Sequence, residues 1–161
     1  MKILFISIFF IVNVFAQTYE FLETRYSDAI ERSIELKGEI NFTKDGLGIY
    51  YAKGDKLLIY INGTLTYSEN DELKELDSTT VIRITQYFEI LILLHNGDEA
   101  SMEENFVIKN KPPLIELKPK GDLEAYLKVI ELTKIENFLK KIHLVLKNDD
   151  IITISIGNAI Q

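Results

Sequence analysis

The chain has 161 residues, a formal net charge of -7 and 47% hydrophobic residues, and it contains neither Cys nor Trp. The lack of Cys excludes a disulfide framework, a thiolate metal site and a cysteine nucleophile. The apolar content is too high for a disordered chain, and an acidic chain repels polyphosphate, so we expect no nucleic-acid partner.

The N-terminal segment is predicted to be a cleaved signal peptide. One basic residue precedes an almost continuous apolar run from Ile3 to Phe15, and the run ends at Ala16. This pattern is typical of a secretory signal, whereas a membrane-spanning helix needs about 20 apolar residues. Residues 1–16 are therefore interpreted as the signal and residues 17–161 as the exported domain. Export without a single Cys favours the bacterial periplasm.

The first part of the exported domain has the pattern of antiparallel strands. Residues 33–43 alternate between apolar and polar side chains, with Ile40 and Phe42 on the apolar side. A period of two is typical of a strand with one buried face. Segments 21–26 and 47–52 are predicted to be the strands before and after it.

A tight hairpin is predicted around Asn62-Gly63, which separates the apolar runs 57–61 and 64–68. This dipeptide between two such runs is the strongest short-range hairpin signal. A two-residue turn fixes the register, so four bulky side chains share one face. We expect this face to line an enclosed surface, and its members are Leu58, Tyr60, Leu65 and Tyr67.

The period changes in residues 79–94, where apolar side chains recur at steps of three and four. This spacing predicts a helix, with Ser78 as its N-cap and Asn96-Gly97 as its end. The apolar surface is wider than one stripe, so the helix must be covered on more than one side. A short second helix is predicted at 98–104.

The rest of the chain is again predicted to be strands, separated by turns that contain Pro, Gly, Asn or Asp. The sequence therefore predicts a mainly β (α+β) fold, in which one apolar helix interrupts an antiparallel sheet. A sheet with one long apolar helix can close over a hollow instead of filling it. The predicted strands are 105–109, 114–118, 126–132, 139–147 and 151–156.

No motif in the chain indicates catalysis or metal binding. His95 and His143 lack the spacing of metal ligands, and we expect both to be exposed structural residues. No nucleophile elbow and no Gly-rich phosphate loop occur. The acidic residues of 69–72 and 149–150 lie in predicted turns and lack the spacing of a calcium loop. We therefore expect no catalytic residues, no metal and no cofactor.

Several segments, in their order and spacing, resemble the periplasmic outer-membrane lipoprotein carrier (LolA) family and its LolA-like relatives. The likeness extends over nearly all of residues 19–158. The segments are Phe21-Leu22-Glu23-Thr24-Arg25-Tyr26, the run from Gly38 to Lys44 and on to Leu47, Asn62-Gly63, the helix leading to Asn96-Gly97-Asp98 with Phe106 after it, and Leu117-Lys118-Pro119-Lys120.

The resemblance implies an incomplete antiparallel β-barrel with a mid-chain helical lid over a hydrophobic cavity. It implies a carrier chaperone that takes acyl chains of lipoproteins or lipids from an inner-membrane ABC lipoprotein exporter to an outer-membrane acceptor. Lys44 stands where the family often has its latch Arg, so it is the predicted lid latch. We expect a monomer. The predicted acyl cavity consists of Ile40, Phe42, Leu58, Tyr60, Leu65 and Tyr67 from the sheet, and of Ile84, Phe88 and Leu91 from the lid.

Two other functions remain open at this point. The first is an exported, non-enzymatic structural or assembly protein, in which the apolar strand faces form an ordinary filled core. The second is an exported hydrolase, which would need a Ser and an acidic residue to converge on His143. A hollow beneath a movable helix distinguishes the carrier from both.

Overall fold

The computed structural model describes residues 17–136 and 138–160. The predicted signal peptide, residues 1–16, lies outside the described residues. The described chain folds into eleven strands and two α-helices. Within it, neither helix combines the length and the apolar character that crossing a membrane requires.

Six strands precede the first helix, and they confirm the strands predicted from the alternating pattern. A turn of 3-10 helix, Asp28–Ile30, joins the first two, and the short sixth strand was not predicted. The strands are β1 (Gln17–Ser27), β2 (Arg32–Thr43), β3 (Gly46–Tyr51), β4 (Lys56–Ile61), β5 (Thr64–Glu69) and β6 (Glu72–Leu73).

Two helices and five strands follow, and these elements were all predicted to within a few residues at each end. The helices are α1 (Ser78–Asn96) and α2 (Glu99–Asn105). The strands are β7 (Phe106–Lys111), β8 (Leu114–Pro119), β9 (Leu127–Ile135), β10 (Phe138–Leu146) and β11 (Ile151–Ile160).

The strands form one antiparallel sheet in the order β6-β5-β4-β3-β2-β1-β11-β10-β9-β8-β7. Pairing of β1 with β11 joins the N-terminal and C-terminal halves of the sheet. The two edge strands, β6 and β7, do not pair with each other. The sheet is therefore an incomplete antiparallel barrel, as predicted.

The hairpin at Asn62-Gly63 has the predicted register, in which Tyr60 pairs with Leu65 and Leu58 pairs with Tyr67. Asn62 and Gly63 both have positive φ, 50° and 80°. Two central residues with positive φ define the tight turn that matches the twist of paired strands, and Asn-Gly adopts it at least cost.

The same register continues across β2, β3, β4 and β5, so that apolar side chains line up in two rows on one face of the sheet. We call this face, which carries the buried side chains, the inner face. One row is Ile40, Ile49, Leu58 and Tyr67, and the other is Phe42, Leu47, Tyr60 and Leu65.

The sheet has to curl around α1. Eleven flat strands would span roughly 48 Å, whereas a helix of 19 residues is about 28 Å long and about 10 Å thick. Nevertheless Tyr60 on β4, Leu91 on α1 and Leu132 on β9 belong to one buried core. The inner face therefore encloses the helix from both halves of the sheet.

The N-cap of helix α1 lies one residue earlier in the sequence than predicted. Asp77, not Ser78, is the N-cap, because its Oδ1 accepts a hydrogen bond of 3.0 Å from the backbone N–H of Thr80. A hydrogen bond from the Thr80 hydroxyl, and then this backbone bond, lower the pKa of Asp77. The predicted end is confirmed: Gly97 has φ 63°, and its N–H donates to the Leu93 carbonyl.

We predict that Gly38→Ala destabilises the sheet. A Cβ at Gly38 would lie 1.7 Å from the backbone oxygen of Tyr50 on β3, and this oxygen cannot move without breaking the β2–β3 pairing. The expected loss in free energy of unfolding is about 3 kcal/mol, the upper end for overpacking. Urea denaturation measures it.

Gly48→Ala is the matched control. Its Cβ would meet nothing closer than 4.0 Å, so the expected change is neutral or a gain of up to about 1 kcal/mol, from the lower entropy of the unfolded chain. Equal stability of the two variants would contradict the assigned β2–β3 packing.

Candidate functional site

Burial of α1 increases along its length. Phe88, Leu91 and Leu94 are each at most 1% exposed, whereas Ile84 and Tyr87 are half-buried and Ile82 is 57% exposed. The C-terminal half of the helix is therefore packed into the core. The N-terminal half lies above less completely filled space.

One cleft lies beside this N-terminal half, between α1 and strands β2 to β5. It has a volume of about 700 Å³, which falls within the range of about 300–1,000 Å³ usual for small-molecule sites. Leu58 and Tyr67 line it from the sheet, and Ile84 and Phe88 line it from the helix. We call it the β4–β5 cleft.

A second cleft of about 590 Å³ lies between α1 and the C-terminal strands. Its apolar wall includes Tyr126, Leu144 and Ile152, and basic side chains are present among the residues that line it. We call it the β10–β11 cleft. Arg25, Ile84 and Tyr87 line both clefts, so these three side chains separate one space from the other.

The nine predicted cavity residues are distributed unequally around this space. Four of them line the β4–β5 cleft: Leu58, Tyr67, Ile84 and Phe88. The other five line neither cleft: Leu65 is half-buried, and four are buried, Ile40, Phe42, Tyr60 and Leu91. The open space therefore lies toward the N-terminal half of α1, and the opposite end of the predicted cavity is covered.

Lys44, the predicted latch, is exposed and lines a separate cleft of about 440 Å³, together with Tyr60 and with Glu89 and Asn96 of α1. Its side chain makes no hydrogen bond or ion pair with the described residues. The latch role of Lys44 stays a prediction. In this structure, other side chains connect the helix to the sheet.

The principal polar connection is centred on Glu23 of β1, which is fully buried. Its Oε2 accepts hydrogen bonds from the hydroxyl of Tyr51, at 3.0 Å, and from the hydroxyl of Tyr87 on α1, at 2.9 Å. Its Oε1 accepts from Nε of Arg25, and Nη2 of Arg25 lies 3.3 Å from the Tyr51 hydroxyl. We call these four side chains the Glu23 cluster.

The Glu23 cluster was missed in the sequence analysis. The signal was present, because β1 alternates and Glu23 falls on the same side as Tyr19 and Phe21, which are buried. A carboxylate in an apolar row of a strand indicates a buried polar interaction, since an unpaired charge there would be too costly.

The cluster offsets the cost of removing a carboxylate from water, which is several kcal/mol for an ion without partners. Burial, and then the charge of Glu23, raise the pKa of Tyr51 and of Tyr87. Burial opposes the charge of Arg25, but Glu23 more than compensates and keeps the pKa of Arg25 above its ordinary value. The tyrosines therefore remain donors and Arg25 remains a cation over the usual pH range.

Two further contacts hold α1 against the sheet. The Tyr60 hydroxyl donates to Glu89 Oε1 at 2.7 Å, and the Tyr60 ring meets Phe88 edge-on at 6.4 Å between centroids. Near the helix end, the rings of His95 and Phe42 stack at 3.7 Å. This stack covers Phe42 and explains why it lines neither cleft.

His95 is exposed, as predicted, whereas His143 is not. Partial desolvation of its ring, and then the charge of Lys134, lower the pKa of His95. His143 is half-buried, with Nδ1 at 2.9 Å from the Thr153 hydroxyl, because it lies within β10 beside β11. In the part of the chain that the structure describes, no three His, Asp or Glu residues are grouped as a metal site would require.

Comparison with solved structures shows that proteins of similar fold are known. No family model and no curated protein matches the sequence. The fold is similar to a LolA superfamily protein from Nitrosomonas europaea, at 7% sequence identity and a TM-score of 0.41, over 89% of this chain and 84% of that chain. A similarity at this level identifies neither ligand nor function.

We predict that Tyr87→Phe loosens α1 without unfolding the sheet. The variant removes a single donor from Glu23 and leaves Arg25 and Tyr51 in place, so the expected loss in free energy of unfolding is about 1.5–3 kcal/mol, as for a hydrogen bond to a charged group. Amide hydrogen exchange should accelerate in α1. Tyr67→Phe is the control, because its hydroxyl has no hydrogen-bond partner among the described residues, and exchange in α1 should stay as in the unsubstituted protein.

We also predict a pH dependence from His95. Its pKa is lowered on folding, so its contribution to stability is complete above the unfolded value of about 6.5 and is lost as the pH falls through the folded value. Urea midpoints should decrease as the pH falls below about 6.5. His95→Phe keeps an aromatic ring beside Phe42 but removes the titrating imidazole, so the urea midpoints of this variant should vary less with pH. Parallel curves for the two proteins would contradict the assignment.

Proposed function

We propose that the protein is a periplasmic carrier chaperone that binds acyl chains of a lipoprotein or lipid in the clefts beneath α1. The observation that supports this most directly is the arrangement of the clefts. Two spaces of about 700 and 590 Å³, with largely apolar walls, lie on either side of the half-buried N-terminal half of one helix. An ordinary filled core is close-packed and does not contain spaces of this size.

A carrier must release what it binds. Each methylene removed from water contributes about 0.8 kcal/mol, so a long acyl chain enclosed without opposition would be retained. In this proposal, widening the clefts displaces α1, which exposes Ile84 and Phe88 and separates Tyr87 from Glu23. The cost of that displacement offsets the gain from the acyl chain, so that binding and release are nearly balanced.

The proposed route leads from an inner-membrane ABC lipoprotein exporter to an outer-membrane acceptor. The protein would act as a monomer, without catalytic activity or cofactor, and would belong to the LolA-like carriers. The open antiparallel sheet and the single long helix inserted mid-chain support this assignment. The apolar character of the clefts and the net charge of -7 argue against nucleic acid as the cargo.

Native mass spectrometry of the protein purified from the periplasm tests the proposal. Co-purified lipid, or binding of a fluorescent fatty-acyl probe to the delipidated protein, would support a carrier. A ligand-free mass together with failure to bind the acyl probe would overturn it. The structural or assembly protein with a filled core would then be the better interpretation.

We predict that Ile84→Gln lowers the affinity for a fatty-acyl probe by about tenfold. Ile84 lines both clefts, and an amide placed against an acyl chain loses about 1–3 kcal/mol through unpaired polar atoms. Fluorescence titration measures the affinity.

Ile82→Gln is the matched control, since it makes the same change on the same helix. Ile82 is 57% exposed and lines neither cleft, so its probe affinity should be unchanged. Equal losses in the two variants would exclude the clefts as the binding site, because the effect would then come from the helix as a whole.

A further inference from the structure

We propose that the β10–β11 cleft selects an acyl lipid with an anionic headgroup, a phosphate or a carboxylate, which Arg83 and Lys147 bind. The inference rests on the proposed function and adds the chemical class of the ligand. It comes from the distribution of charge around the two clefts.

The residues that line the β10–β11 cleft carry an excess of positive charge. Three are basic, Arg25, Arg83 and Lys147, and one is acidic, Asp150. The whole chain has a net charge of -7, so this excess runs opposite to the rest of the protein. A local field of opposite sign, beside low-dielectric walls, concentrates an anionic ligand.

The single carboxylate of this lining already has partners. Asp150 accepts a hydrogen bond of 2.9 Å from the backbone N–H of Asp28 and one of 2.7 Å from the side chain of Asn148. These donors hold the pKa of Asp150 below its ordinary value. Asp150 therefore acts as a turn residue between β10 and β11.

The three basic residues are not equivalent. Arg25 pairs with the buried Glu23, so its charge is largely compensated within the Glu23 cluster. Arg83 and Lys147 are exposed, and neither forms an ion pair with any residue in the described ranges 17–136 and 138–160. They are the two cations available to a ligand.

Two further carboxylates lie near the cleft without lining it. Glu89 and Asp122 raise the pKa of Tyr126, after the larger effect of burial, but neither lines the cleft. Glu89 in addition accepts the hydrogen bond from Tyr60 on the opposite side of α1.

The β4–β5 cleft lacks the same excess. Arg25 also lines this cleft, but its charge is compensated by Glu23. The other two basic residues, Lys53 and Lys56, are matched by Glu35 and Glu69, and Nζ of Lys56 lies 3.5 Å from Oε1 of Glu69. The two clefts thus differ in charge although both have apolar walls. An anionic headgroup is favoured only on the β10–β11 side.

The chemistry of the pair suits an oxyanion. The guanidinium of Arg83 presents a planar fork that matches phosphate and carboxylate oxygens, and Lys147 adds a compact positive charge. The apolar wall of Tyr126, Leu144 and Ile152 is then available to the acyl chain. One cleft can therefore accommodate both parts of the amphiphile.

Competition against a fluorescent fatty-acyl probe tests the inference with three ligands of equal chain length. These are palmitoyl lysophosphatidate, palmitate and monopalmitoylglycerol. We expect at least one anionic ligand to bind about tenfold more tightly than the neutral glycerol ester at low salt, and this advantage should shrink as salt is added. The Arg83→Gln/Lys147→Gln double variant should lose the advantage while retaining its affinity for the neutral ester.

The double variant Lys118→Gln/Lys141→Gln is the control, because it removes the same charge from exposed strand positions that line neither cleft. It should retain the preference for the anion. Equal affinity for charged and neutral ligands, or equal loss in both double variants, would overturn the inference and leave the carrier function intact. Failure of all three ligands to bind would instead count against the carrier function itself.

Discussion

An open sheet with an apolar inner face requires a cover, and the rest of this structure follows from that constraint. Eleven strands curl without closing, so the two rows of apolar side chains on β2 to β5 would face water on one side. Helix α1 removes them from water at its C-terminal half, where Leu91 and Leu94 are buried. At its N-terminal half it covers them incompletely, and this difference creates the clefts.

The Glu23 cluster determines the position of helix α1 on the sheet. A buried ion pair contributes little net stability compared with apolar packing, but a carboxylate that has lost one of its donors is costly. Glu23 therefore favours the helix position in which Tyr87 points at β1 over neighbouring positions that apolar contacts alone would tolerate. Hydrogen bonds give this arrangement its specificity, and apolar burial stabilises it, through Phe88, Ile90, Leu91 and Leu94.

The sequence was sufficient for the fold and only partly sufficient for the site. Alternation in 33–43 and the Asn62-Gly63 turn determined strands and register, because both are local properties. The helix cap was misplaced by one residue, since Asp77 and Ser78 are both good caps. The position of the clefts was not accessible, because it depends on which end of α1 packs more tightly. The stack of His95 on Phe42 joins residues more than fifty positions apart, and no local pattern reports it.

Helix α1 connects the two edges of the sheet, since β6 precedes it and β7 follows after α2. A ligand that displaces α1 therefore competes with a helix that stays covalently attached to both edges of the sheet. For short linkers, the effective concentration of the attached segment at its binding surface is on the order of millimolar. Reclosure is therefore a unimolecular event whose rate does not change when the protein is diluted.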